Sequence, residues 1–367
     1  MTMALHWSDM PADVLGALRK GVAIPAHPLA LRADRSFDAD RQKALTRYYI
    51  DAGAGGLAVG VHTTQFAIRE IGLYEPVLAS ALETADAWTD RPLVRIAGLA
   101  GRTDQAVREA GIARGIGYHA GLLSLAAMKG VSEDELIAHC TKVAAEMPVV
   151  GFYLQPSVGG IRLSFDFWRR FAAIDNVVAI KMAPFNRYAT LDVIRGVIAA
   201  GAEERVTLYT GNDDHIVADL VTPFRFLRDG RPVTLRIKGG LLGHWSVWVK
   251  AAVALLERCQ AEAAKPAISA DLLALDSQVT DCNSALFDVA NNFHGCIAGC
   301  HEILRRQGLL EGIWCLAPEE GLSPGQAEEL TRVRNAYPHL TDDAFVAANL
   351  DRWLSGDRTT ALKDVAA

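Results

Sequence analysis

Two short runs, Pro148–Leu154 (PVVGFYL) and Asn176–Met182 (NVVAIKM), are almost wholly apolar, and a stretch of helical period separates them. Each has the length of a strand buried on both faces and is too short for a buried helix. The alternation continues in both directions. Upstream lie Gly21–Ala26 (GVAIPA), Gly55–Gly60 (GGLAVG), Pro92–Gly98 (PLVRIAG) and His119–Leu125 (HAGLLSL); downstream lie Val206–Thr210 (VTLYT) and Val233–Lys238 (VTLRIK). Helical period fills the gaps, as in Phe37–Ala52, which Ser36 or Asp38 can cap, in AVREAGIARG, after the Ser132–Glu135 capping signal, and in Val247–Leu256. Eight strand–helix units of roughly 25–35 residues imply a closed parallel (β/α)8 barrel, a TIM barrel. An open doubly wound sheet is the rival, but it places a glycine-rich phosphate loop after its first strand, and here that strand runs into His27-Pro28-Leu29.

After about Pro266 the pattern becomes helical, in Ser269–Leu275, Ser284–Gln307 and Pro324–Ala336, with Pro318, Pro324 and Pro338 as breaks. The division expected is therefore residues 1–265 for a barrel with a short N-terminal helix and 266–367 for a C-terminal helical extension. With 367 residues, half of them hydrophobic, the chain can bury a large core, and a net charge of −6 without a basic stripe speaks against nucleic acid as a partner. The opening MTMALHWSDMPADVL lacks the basic and apolar regions of a signal peptide, and no apolar stretch approaches the roughly 20 residues of a bilayer span. No membrane partner and a cytoplasmic location are the expectation. The six cysteines form no CxxC pair and read as reduced thiols, Cys296 and Cys300 with His294 and His301 nearby being only half of a zinc pattern.

In a β/α barrel the reactive side chains end the strands. Strand alternation puts Val177, Ala179 and Lys181 on one face, so the small Ala179 face can point inward and carry Lys181 at the barrel mouth. A lysine there loses hydration, its pKa falls, and the neutral amine can attack a ketone to give an imine. Val149, Gly151 and Tyr153 share a face in the same way, and Tyr153 precedes Lys181 by 28 residues, about one unit. A phenol beside an imine carbon can shuttle protons. The bland alternatives are a snorkelling surface lysine and a rim aromatic, and Lys238, which ends its run before Gly239-Gly240, competes with Lys181. His27 and His62 also end strands and are candidate acid–base or substrate-binding groups. Asp213, Asp214 and His215 follow strand seven; with His244 they would form the ligand set of a metal-dependent barrel enzyme, the alternative reading, although acidic residues also suit a helix N-terminus.

These residues resemble the dihydrodipicolinate synthase / N-acetylneuraminate lyase family over most of the chain. Tyr153-Leu154-Gln155-Pro156 followed by Gly160 is similar to the family's Tyr-Asn-x-Pro…Gly segment, and Ala179-Ile180-Lys181 to its Gly-Ile-Lys Schiff-base strand. The resemblance implies a class I lyase or aldolase with Lys181 as nucleophile and Tyr153 as proton shuttle. Thr63 and Thr64, in a stretch similar to the family's Gly-Thr-Thr-Gly-Glu loop, would hold the carboxylate of pyruvate or another 2-oxo acid, with Gly211 and Gly240 lining the pocket. It implies no cofactor and no metal, a 2-oxo acid and an aldehyde as small-molecule partners, and a homo-oligomer, dimer or tetramer. Departures fall on the second-substrate side. Ser157-Val158-Gly159 stands where the synthases carry an arginine, with Arg162 assigned to the next helix, and Leu125-Ala126-Ala127-Met128 stands where they carry Pro-Tyr-Tyr. These changes argue against dihydrodipicolinate synthesis, and leave open a family member that binds a 2-oxo acid without catalysis.

Overall fold

A computed structural model of the protein describes residues 4–365. Met1–Met3, the start of the stretch read above for a leader, lie outside the described residues. Seven of the apolar runs become barrel strands: β1 (Ala23–Pro25), β2 (Gly56–Val59), β3 (Val94–Leu99), β4 (Ala120–Leu123), β5 (Val149–Tyr153), β6 (Val177–Met182) and β7 (Thr207–Thr210). The eighth run divides. Its first half joins an antiparallel hairpin, β8 (Phe224–Arg228) with β9 (Arg231–Leu235), and its second half opens the eighth barrel strand, β10 (Ile237–Leu242). Gly239-Gly240, expected at the strand end, therefore lie inside it. Two glycines in a row carry little β propensity and hid the strand from its sequence.

Parallel pairing runs β1-β10-β7-β6-β5-β4-β3-β2, and the ring is nearly closed by a bridge between Ala26 and Ala58, reinforced by the His27 N–H donating to the Ala58 carbonyl at 2.8 Å. Helices alternate with the strands, including Ala39–Asp51, capped by Asp38, and Glu133–Ala144, opened by the Ser132/Glu135 capping box. Two apolar layers result. The inner one fills the barrel with side chains such as Ile24, Ile96, Leu122, Val150 and Leu241, and Leu18 from the N-terminal helix Ala12–Lys20 plugs its lower end. The outer layer packs the strands' other face against the helices.

The C-terminal residues form helices Asp271–Leu286, Cys296–Arg306, Gln326–Ala336 and Asp343–Ser355, sharing the outer core with the barrel. The continuous helix expected over Ser284–Gln307 is interrupted at 287–295, where Asp288, Asn292 and Phe293 adopt left-handed backbone conformations. Such residues end helices. The interruption swings Phe287 and Phe293 over the barrel mouth. Among the described residues no helix is long and apolar enough to cross a membrane.

Candidate active site

The register between β5 and β6 decides what faces the barrel axis. Val149 pairs with Val177, but Val150 already pairs with Ala179, so β6 carries one extra residue there. Above this irregularity Phe152 lies opposite Lys181, and both point inward. Lys181 is only 7% exposed, and its Nζ sits 4.3 Å from the centre of the Phe152 ring. The cavity it enters is bounded by the ends of β5, β6 and β7, the loop after β2, and the C-terminal segment. Gly211, just past β7, leaves room for this side chain: a Cβ there would come within 2.7 Å of Lys181 Cε.

Four further polar side chains share the cavity with Lys181: His62, Thr63, Gln155 and Asp213. Burial pulls the Lys181 amine down to about 8, opposed by the charge of Asp213. Burial pushes the Asp213 carboxyl up to about 7, opposed by Lys181. Asp213 Oδ1 is buried without a hydrogen-bond partner. Burial, helped by the Lys181 charge, lowers His62 to about 4, so its ring is neutral at neutral pH. The loop bearing Asp213 is held from behind. Thr210 and Asn212 both donate to Asp219, at 2.7 and 2.9 Å, and Asn283 of the C-terminal helix donates to the Asp213 carbonyl at 2.6 Å.

Of the residues expected from sequence, the structure brings Lys181, His62, Thr63 and Gly211 into one cavity. Tyr153 is elsewhere. It faces the outer layer, its ring 5.1 Å from that of Trp168, and its hydroxyl meets the Leu163 carbonyl and N–H, both at 3.3 Å. Val149, Gly151 and Tyr153 do share a face, but it is the outer one, where a Cβ on Gly151 would strike the Phe171 ring at 2.6 Å. The large aromatics of helix Phe165–Ala172 claim that face. Thr64 is a strut: its hydroxyl donates to the His27 carbonyl at 2.6 Å and accepts from the Gly60 and Val61 N–H groups. His27 turns outward to Thr46 and Gln42, and burial lowers it to about 4. Gly240 backs onto Trp245, and Gly243 lines the cavity instead.

Lys238 is exposed near the start of β10, away from the strand ends, and loses its rival claim. Arg162 is exposed in the loop ahead of helix Phe165–Ala172. The metal set is not assembled: His215 pairs with Asp276 at 3.0 Å, Asp214 is exposed, and among the described residues no cluster of three His, Cys, Asp or Glu could hold a metal ion. Cys296 lines the cavity, whereas Cys300 contacts the Gly243 carbonyl and His301 the Ile313 carbonyl. Sequence reading missed Phe152, Phe185, Phe287 and Phe293 as cavity residues. Phe152 announced itself only by alternating with Tyr153; the other three come from loops whose course the sequence does not set.

An eight-stranded β/α barrel with a lysine buried at the C-terminal end of a strand is the class that fold and site define. The family model described as the dihydrodipicolinate synthetase family matches residues 22–222, more than half the chain, and the chain belongs to that family. Similar solved structures include the chloride-inhibited dihydrodipicolinate synthase of Acinetobacter baumannii complexed with pyruvate, 21% identical with a TM-score of 0.70, covering 87% of this chain and 98% of that one. YagE, a prophage protein of E. coli complexed with pyruvate, is 18% identical with a TM-score of 0.69, covering 88% and 99%. CdNal of Clostridium difficile, in complex with mannosamine, is 14% identical with a TM-score of 0.69, covering 86% and 99%. At these identities the likeness is one of fold. No curated protein matches the chain.

Proposed function

We propose that the protein is a Schiff-base lyase or aldolase acting on pyruvate or another 2-oxo acid, and that its reaction is not dihydrodipicolinate synthesis. The observation that carries this reading is the Lys181 amine, buried in a strand-end cavity that lowers its pKa to about 8. The neutral amine adds to the ketone carbon and water leaves, giving an iminium. In cleavage it accepts the electron pair of the carbon–carbon bond one atom beyond the imine carbon and becomes an enamine. In synthesis the iminium loses a proton to give that enamine, which donates the pair to the aldehyde carbon. Hydrolysis returns the free amine. Thr63 lines the same cavity and is the group this reading assigns to the carboxylate; its hydroxyl now donates to the Ala26 carbonyl at 2.8 Å and would have to turn to bind it. With Phe152 where a phenol was expected, Asp213 is the proton carrier this reading selects: it lines the same cavity as Lys181 and feels its charge, and its raised pKa lets it hold or release a proton near neutral pH.

The test is borohydride reduction in the presence of pyruvate, followed by peptide mass mapping. A reduced pyruvate adduct on Lys181 is expected; an adduct on another lysine, or none, overturns the assignment. The apolar Phe152 favours a second reading, a 2-oxo-acid binder without turnover. An adduct on Lys181 with no carbon–carbon bond cleavage or formation over a broad aldehyde panel would select it. A homo-oligomer and a cytoplasmic location go with the proposal, and sedimentation of the purified protein checks the first.

A further inference from the structure

We infer that the part of the cavity beyond Lys181 takes an apolar, preferably aromatic, substituent on the reaction partner, and rejects both polyhydroxylated chains and a second carboxylate. The chemistry assigned to that partner rests on the Schiff-base reading; the shape and polarity of the space do not.

The space, about 630 Å³ including its open mouth, divides by chemistry. Its titratable groups gather around the lysine: His62 and Asp213 both interact electrostatically with Lys181, and Cys296 in turn with Asp213. Past Lys181, in the direction the strands run, the walls are Leu154, Gln155 and Val158 after β5, Phe185 after β6, and Phe287, Phe293 and Ile297 from the C-terminal segment. Gln155 is the one amide among these seven, and its Oε1 already accepts from the Ser157 N–H at 2.8 Å; the other six side chains carry no hydrogen-bonding group. A chain of hydroxyls entering there would find one amide in place of the water it leaves, and unpaired polar groups are rejected strongly. A second carboxylate would fare worse. Among the described residues that line the cavity Lys181 is the one lysine or arginine, and Asp213 would add repulsion.

The aromatic cover is also held at a conformational cost. Phe185 and Phe293 both have left-handed backbone angles, φ 49° and 67°, and their rings meet at 5.8 Å over the cavity. Non-glycine residues in this region are uncommon and gather at ligand clamps. Here two converge from separate segments. The Phe185 N–H is anchored by Asn212 Oδ1 at 3.2 Å, and the Phe293 N–H by the Asp288 carbonyl at 3.0 Å. A substrate ring would enter an offset or edge-on stack with them.

The test measures dissociation constants by calorimetry for three 2-oxo acids: benzylpyruvate, 2-oxogluconate and 2-oxoglutarate. It uses the wild type and Lys181→Met, in which no imine forms. Benzylpyruvate should bind at least tenfold tighter than the other two in both proteins. Phe293→Asn, which tolerates the left-handed backbone, should reduce that preference to threefold or less while the melting temperature holds. Equal affinities, or a preference for either polar acid, overturn the inference. Borohydride trapping with pyruvate, run alongside, separates the two claims. An adduct on Lys181 without the preference leaves the covalent reading standing and removes this one. The preference without an adduct does the reverse.

Discussion

The ends of β5 and β6 are neighbours of nearly identical sequence character, and each delivers a long polar side chain, yet Tyr153 and Lys181 have opposite fates. Lys181 enters the barrel mouth, where burial lowers the pKa of its amine to about 8. Tyr153 enters the helical shell, where burial only ties its hydroxyl to the backbone at Leu163. The same loss of water thus fits one group for the proposed chemistry and leaves the other structural. What separates them is whether the burial opens onto a cavity. Alternation groups residues on a face only where no residue is inserted (Val177 lies in the outer layer, although it was grouped with Ala179 and Lys181), and it does not say which face is inside. That was decided by the extra residue at the base of β6 and by Phe171 and Trp168, which fit against Gly151 and Tyr153.

Four substitutions break or sharpen this contrast. Lys181→Met should abolish pyruvate trapping and lower turnover on the order of a thousandfold or more, without lowering the melting temperature, since a buried amine is replaced by an apolar chain of similar length. Retention of more than a tenth of the activity would place the nucleophile elsewhere. Asp213→Asn should lower turnover roughly a hundredfold and shift the pH dependence of trapping. In the wild type, trapping should rise as the Lys181 ammonium loses its proton, with a midpoint near pH 8. The Asp213 charge favours the ammonium form, so removing it should move that midpoint to lower pH; a midpoint moving upward contradicts the assignment.

Tyr153→Phe should leave trapping and turnover within about twofold while costing about 0.5–1.5 kcal/mol of stability through the lost hydroxyl contacts, read by urea unfolding. A tenfold loss of activity at unchanged stability would show that the phenol does reach the reacting carbon. Lys238→Ala should change neither trapping nor turnover, and stability by no more than about 0.5 kcal/mol. An effect on trapping would revive the competing lysine.

Much of the barrel was legible because strands buried on both faces leave uninterrupted apolar runs such as PVVGFYL and NVVAIKM, and because Asp38 and the Ser132/Glu135 box mark helix starts by local hydrogen bonding. The eighth strand was misplaced because Gly239 and Gly240 carry no side-chain signal. They sit in a strand since Val22 and Tyr209 approach one and Trp245 the other, contacts that no local pattern encodes. His27 read as a site residue because it ends a strand, and Thr64 because its loop resembles the family's, but their hydrogen bonds to Thr46 and to the His27 carbonyl turn them into struts.

By itself the sequence determined the eightfold alternation, the family, and the lysine at a strand end, because each is written in contiguous residues and short-range periodicity. Only the tertiary structure decided that Phe152 rather than Tyr153 faces the amine, that Asp213 shares its cavity, and that a broken C-terminal helix roofs it with aromatic rings. Those outcomes depend on strand register and on packing between segments more than a hundred residues apart in the chain, which compete for the same volume only once the chain has folded.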